Sequence, residues 1–99
     1  MSRVILSAGL RDDFDRIFDF LFAYVSDHAA LHIEAIIEAL DVLATSPQIG
    51  RPAALGQREL IISHGVSGYL ALYRYDPPKD TVYVLAVRSR RERDYRRPV

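Results

Sequence analysis

The chain has 99 residues, no cysteine and a formal net charge of zero. A chain of this length builds one domain, residues 1–99, around one core, and without cysteine it has no disulfide framework, thiol nucleophile or thiolate-held metal. Nearly half the residues are apolar and about a quarter are charged, the balance of an ordinary globule and not of a disordered chain.

No apolar run reaches the roughly 18–20 residues that cross a bilayer, and Met1-Ser2-Arg3-Val4 does not open a secretory leader, so a cytoplasmic location is expected. Val4-Ile5-Leu6 reads as a first strand. Ser7 is placed to cap a following helix, with Asp12 and Asp13 near its positive end. Leu10, Phe14, Ile17, Phe18, Leu21, Phe22 and Val25 recur at helical spacing as one apolar stripe, with Asp12, Asp15, Arg16 and Asp19 opposite. Ser26-Asp27 offers a fresh cap for a second helix, whose stripe is Ala29, Ile33, Ile36, Ile37, Leu40, Leu43 and Ala44. Pro47 ends that helix, and so short a connection makes the two helices an antiparallel hairpin.

From residue 48 the period changes. Gln48 to Gly56 reads as loop. Arg58 to Ser63, Tyr69 to Tyr75 and Thr81 to Val87 read as three strands, punctuated by Gly65 and Gly68 and then by Asp76-Pro77-Pro78-Lys79-Asp80. The helices must cover one face of the sheet, because neither layer buries its apolar side alone. The predicted architecture is α+β, in the order β-α-α-β-β-β, a helical hairpin on a small and mainly antiparallel sheet. A short C-terminal helix is an option.

Charge is unevenly spread. Arg11 to Asp41 carries eight acidic residues against two arginines, whereas Arg88 to Arg97 carries six arginines against Glu92 and Asp94. Lys79 is the only lysine. Arginine presents a planar fork that grips carboxylate or phosphate with two bonds, so this end reads either as a docking segment or as a solvated tail. Other candidates are weaker. His28 and His32 stand four apart, a zinc-gripping spacing, but no third ligand is in reach and they read as surface histidines. Ser63-His64 has no orienting acid nearby, and Gly65-Val66-Ser67-Gly68 lacks the lysine and helix of a phosphate loop. Tyr69, Tyr73, Tyr75 and Tyr83 alternate within strands, which assigns some of them to the core and argues against a base-stacking platform. No metal or cofactor is expected.

Four strings, taken in order, carry a resemblance. Ser46-Pro47-Gln48-Ile49-Gly50-Arg51 closes the second helix with a P-x-x-G turn. Arg58-Glu59-Leu60 opens the second strand, and Tyr69 to Tyr73 makes a Y-x-x-x-Y pattern in the third. Val82 to Arg88, then Arg90-Arg91-Glu92, forms a last strand with a basic exit. Together they resemble the ParE/RelE toxin superfamily of type II toxin–antitoxin systems, over essentially the whole chain.

That resemblance implies one of two activities. RelE-like members cleave messenger RNA on the ribosome, using basic residues on the second strand, an arginine after the tyrosine of the third, and a basic pair with a tyrosine near the C-terminus. Here those positions fall on Ile61 and Ser63, on Leu70, and on Arg90, Arg91 and Tyr95. Two of the three phosphate-holding contributions are absent, and an electrostatic site loses on the order of 10²–10³ in rate per missing donor. ParE-like members instead poison DNA gyrase by binding, and a ParD-like antitoxin folds its C-terminal segment onto them. The departures favour that branch, with no catalytic residues. Arg88, Arg90, Arg91 and Arg93 are then expected to contact the target, with Tyr95 as an aromatic anchor. Phe20, Phe22, Arg58 and Tyr73 are expected to meet the antitoxin. No sequence-specific DNA binding by the chain alone is expected, and a non-toxic, antitoxin-binding member is the remaining alternative.

Overall fold

β-branched and aromatic residues dominate the strands, and their pairing fixes the architecture. The computed structural model describes residues 1–24, 28–64 and 67–96. Strand β1 (Arg3–Leu6) leads to helix α1 (Leu10–Tyr24) and helix α2 (Ala29–Leu40), which tightens into a 3₁₀ turn at Asp41–Ala44. β2 (Arg51–Pro52), β3 (Arg58–His64), β4 (Ser67–Asp76) and β5 (Thr81–Ser89) follow. The sheet order is β1-β5-β4-β3-β2; β1 runs parallel to β5 and every other pair is antiparallel. Two helices on a mixed, mainly antiparallel sheet are the expected architecture. Among the described residues no helix is long and apolar enough to cross a membrane.

The helix-covered face of the sheet carries Leu60, Ile62, Tyr69, Ala71, Tyr73, Val82, Val84 and Val87, all buried against Leu10, Ile17, Leu21, Ile36, Leu40 and Leu43. The apolar stripe of α1 is narrower than its sequence spacing predicts. Leu10, Ile17 and Leu21 are buried, but Phe18 and Phe22 emerge on the flank, because a helix on a sheet covers only an arc of about 100°.

Other expectations change in detail. Ser7 does not cap α1 with its hydroxyl, which donates to Leu85 O (3.1 Å); its carbonyl accepts from Leu10 N instead (3.1 Å). α2 stops at Leu40 and not at Pro47, the intervening chain forming the 3₁₀ turn. The expected cap at Ser26-Asp27 and the turn glycine Gly65 lie outside the described residues. The Gln48–Gly56 stretch is not wholly loop, since β2 pairs Arg51 with Glu59 and Pro52 with Arg58. Gly50 explains the last position of the P-x-x-G turn. Its N–H donates to Tyr73 Oη (2.8 Å), and a Cβ there would stand 2.7 Å from that tyrosine and 2.9 Å from Glu59 O.

Candidate functional site

One irregularity in β5 positions the basic exit. Tyr73 pairs with Val84 and Leu72 with Ala86, so Leu85 is an extra residue, a β-bulge. Below the bulge, even-numbered residues turn their backbone toward β1: Arg3 N donates to Asp80 O and Ser7 N to Val84 O, both at 3.0 Å. Above it β1 has ended, and side chains occupy the edge. Ser7 Oγ donates to Leu85 O, and Arg16 Nη2 donates to Val87 O (3.2 Å). Val87 N donates to Asp13 Oδ2 and Ser89 N to Glu92 Oε1, each at 3.0 Å. Left open, these four groups would template another strand.

Asp13 follows from this arrangement. It stands three residues after Leu10 and four before Ile17, on the covered arc of α1, and is only 1% exposed. A carboxylate that deep persists only with partners, and Val87 N and Arg16 Nη1 (2.9 Å) are two of them. Arg16 was expected on the water side of α1. It turns toward β5 and forks Glu92 through Nε and Nη2, at 2.9 and 3.1 Å. Burial alone would raise the Glu92 carboxyl, but hydrogen bonds from Arg16, Ser89 N and Arg96 outweigh it and hold the group below the usual carboxylate range.

The far face of the sheet, away from the helices, is covered too. Leu70, Leu72 and Ala86 are buried there. Tyr95 supplies the cover: its hydroxyl donates to Glu59 Oε2 (2.6 Å), and the Arg88 guanidinium lies 5.2 Å from its ring centre. Arg88 pairs with Leu70 and Glu59 with Leu72 across the sheet, so a ring joining Arg88 to Glu59 crosses both leucines. Burial and the bond to Glu59 raise the Tyr95 hydroxyl well above the ordinary tyrosine range. For Glu59, burial acts upward but the bonds from Tyr95 and Arg51 prevail, and its carboxyl is lowered.

The residues expected to contact the target therefore divide. Arg88 and Tyr95 are engaged within the fold, Arg88 Nη1 also donating to Glu92 O. Arg88 Nε is the one side-chain N or O among the described residues that is buried without a hydrogen-bond partner. Arg90, Arg91 and Arg93 are exposed. The residues expected to meet the antitoxin divide as well. Tyr73 is a correction: at 0% exposed it is a core residue with no surface to offer. Arg58 is half-buried and donates to Gln48 O and Gly50 O (3.2 and 2.8 Å), holding the loop before β2. Phe20 and Phe22 are exposed but do not form one groove, since two residues turn a helix by about 200°. Phe22 stacks on Phe18 (6.0 Å), whereas Phe20 packs on Tyr24 (5.3 Å) and lies under the Arg91 guanidinium at 5.7 Å.

The RelE-like positions give no basic cluster: Ile61 and Ser63 are exposed and Leu70 is buried. His32 Nδ1 meets Tyr69 Oη (3.3 Å), His28 is exposed, and no group of three or more metal-binding side chains occurs among the described residues. Sequence reasoning passed over Asp13, Arg16, Glu59 and Glu92. Only Asp13 left a sign there, as a carboxylate at core spacing in α1.

Two helices on one face of a five-stranded mixed sheet, with a basic turn after its β5, make this a small α+β domain. The family described as "ParE toxin of type II toxin-antitoxin system, parDE" matches residues 4–94, and the chain belongs to it. Among solved structures, a chain of the chromosomal ParDE TA system from P. aeruginosa is similar with a TM-score of 0.71 at 19% identity, covering 90% of this chain and 96% of that one. A chain of the toxin-antitoxin complex RelBE2 from Mycobacterium tuberculosis has a TM-score of 0.56 at 24% identity, covering 90% and 98%. At these identities the likeness is one of fold. No curated protein matches the sequence significantly.

Proposed function

We propose that this type II toxin acts in the cytoplasm by binding, with DNA gyrase as its target and a ParD-like antitoxin as its neutralising partner. The observation that carries the reading is where the positive charge stands. The outer sheet face holds Ile61, Ser63 and a buried Leu70 and lies under the toxin's own Tyr95, whereas Arg90, Arg91 and Arg93 project from a clamped turn. Phosphate cleavage needs donors converging on the reacting group; a protein interface needs exposed arginines on a firm support. The contact between Arg91 and Phe20 supports the antitoxin assignment, because a segment covering Phe20 also reaches the arginines.

Pulse-labelling of DNA and protein synthesis in the first minutes after inducing the toxin alone tests the reading. DNA synthesis should fall first. An earlier fall of protein synthesis would overturn it in favour of the ribosome, and no fall in either would mean a non-toxic antitoxin-binding member. The variant Arg90→Gln/Arg91→Gln/Arg93→Gln should lose toxicity and still fold, as a circular-dichroism melt would show. Full toxicity of that variant would remove the arginines from the target contact.

A further inference from the structure

Arg88, Arg90 and Arg91 are each seated by a group outside the run of arginines. The turn is closed by Glu92 N donating to Ser89 O and Arg90 N to Gly68 O, both at 3.0 Å. Inside it, the Glu92 carboxylate accepts from Ser89 N (3.0 Å), while the fork from Arg16 joins it to α1. Arg91 lies against the Phe20 ring. Arg90 lies against Gly68: an added Cβ would meet Arg90 Cδ at 2.5 Å and Nε at 2.9 Å. Gly68 has no positive φ, so its conformation does not demand glycine; the space does. A Cβ at that site pushes the Arg90 stem off β4 and redirects its guanidinium without changing the net charge.

We propose that Glu92 and Gly68 are positioning residues for target recognition: Glu92, through Arg16, fixes the turn, and Gly68 lays the Arg90 stem in a set direction. The inference rests on the target-contact reading above and adds that orientation, and not charge alone, determines potency. A protein surface presenting carboxylates in fixed positions is the partner this favours. Two-bond pairing is directional, and arginines already ordered lose less freedom on binding. Arginines on a loose tail would be read by their charge alone.

The experiment measures inhibition of DNA supercoiling by purified gyrase and growth after induction. Glu92→Gln and Gly68→Ala are made alone, Gly68→Ala also in an Arg90→Gln background, and the Arg90→Gln/Arg91→Gln/Arg93→Gln variant serves as the control. Each ordered side chain released should weaken binding by roughly 2- to 10-fold, so Gly68→Ala should lose about that much and Glu92→Gln on the order of 10-fold or more. In an Arg90→Gln background Gly68→Ala should add nothing further. A thermal melt and antitoxin binding by each variant report whether the fold is kept. Wild-type potency of both single variants, with the triple glutamine variant inactive, would overturn the positioning roles and leave the target contact standing. An equal loss from Gly68→Ala with or without Arg90 would also overturn them, because the glycine would then act through the sheet. A fully active triple glutamine variant would instead overturn the target contact itself.

Discussion

The two halves of β5 solve one problem in different ways. Below the bulge at Leu85 the strand's edge is covered by β1, in the parallel register Arg3↔Thr81 to Leu6↔Val84. Above it the same edge is covered by side chains of Ser7, Asp13, Arg16 and Glu92, drawn from three parts of the chain. Backbone pairing survives most substitutions, since every residue but proline brings the same donor and acceptor. Side-chain cover depends on the identity of each residue. The upper half of β5 is therefore the vulnerable half, and it is the half that carries the arginines.

Asp13→Ala should break the upper half most severely. It leaves Val87 N–H buried without this acceptor and removes one anchor of Arg16, a loss of about 2–4 kcal/mol on the scale of buried hydrogen-bonded charges. Urea unfolding measures it. Arg3→Ala, in the backbone-paired half, should cost under about 0.5 kcal/mol. Equal effects from the two would mean that Asp13 does not hold the edge.

Tyr95→Phe is the next test, on the outer face of the same half. The hydroxyl donates to Glu59 Oε2, while Glu59 keeps Arg51 Nε at 3.0 Å. The loss should be about 0.5–1.5 kcal/mol, the worth of one hydrogen bond, with the ring still over Arg88. Tyr95→Ala should lose more, because it also uncovers Leu70 and Leu72. A Tyr95→Ala no worse than Tyr95→Phe would show that the ring does not cover them.

This division marks what was legible in the sequence. The spacing of Leu10, Ile17 and Leu21, and the alternation of Tyr69, Ala71 and Tyr73, are local patterns that impose helix and strand, and from them the layer order follows. The bulge is not local in that sense. Val82, Val84 and Val87 all face the core, a step of two and then of three, and a strict period of two hides the change of phase. Tyr73 was given a surface role through the resemblance, but its depth follows from the packing of Gly50 against it. The two ion-pair partners of Arg16, Asp13 and Glu92, lie 3 and 76 residues away, and of these only the second crosses the fold. A surface-type residue spaced as if for water gives no sign of an ion pair that forms only after β5 docks on α1. The arginine run was visible as charge, yet which arginines stay exposed was decided by Glu59, Tyr95 and Glu92.

Acid should separate the two halves by the smallest margin. The Glu92 and Glu59 carboxyls both sit below their ordinary value of 4.5. A group whose folded value is depressed stabilises the fold above its unfolded value and loses that contribution as pH falls through the lower, folded value. The upper half should thus be fully held near neutrality and weaken from about pH 4.5 downward, whereas the pairing of β1 with Val82–Val84 is made by backbone groups, the lowered carboxyl of exposed Asp80 lying before it with Ser2 and Tyr75. Both carboxyls are half-buried, but their partners Arg51 and Arg96 are exposed, so the effect is that of a screened pair, about 0.2–1 kcal/mol. Amide protection factors, corrected for intrinsic exchange, should fall roughly two- to five-fold at Ser89 between about pH 6 and pH 3, with little change over Thr81–Val84. Glu92→Gln should remove most of the Ser89 response. A uniform fall along β5 would mean that the strand opens as one unit and that its two edges are not independently held.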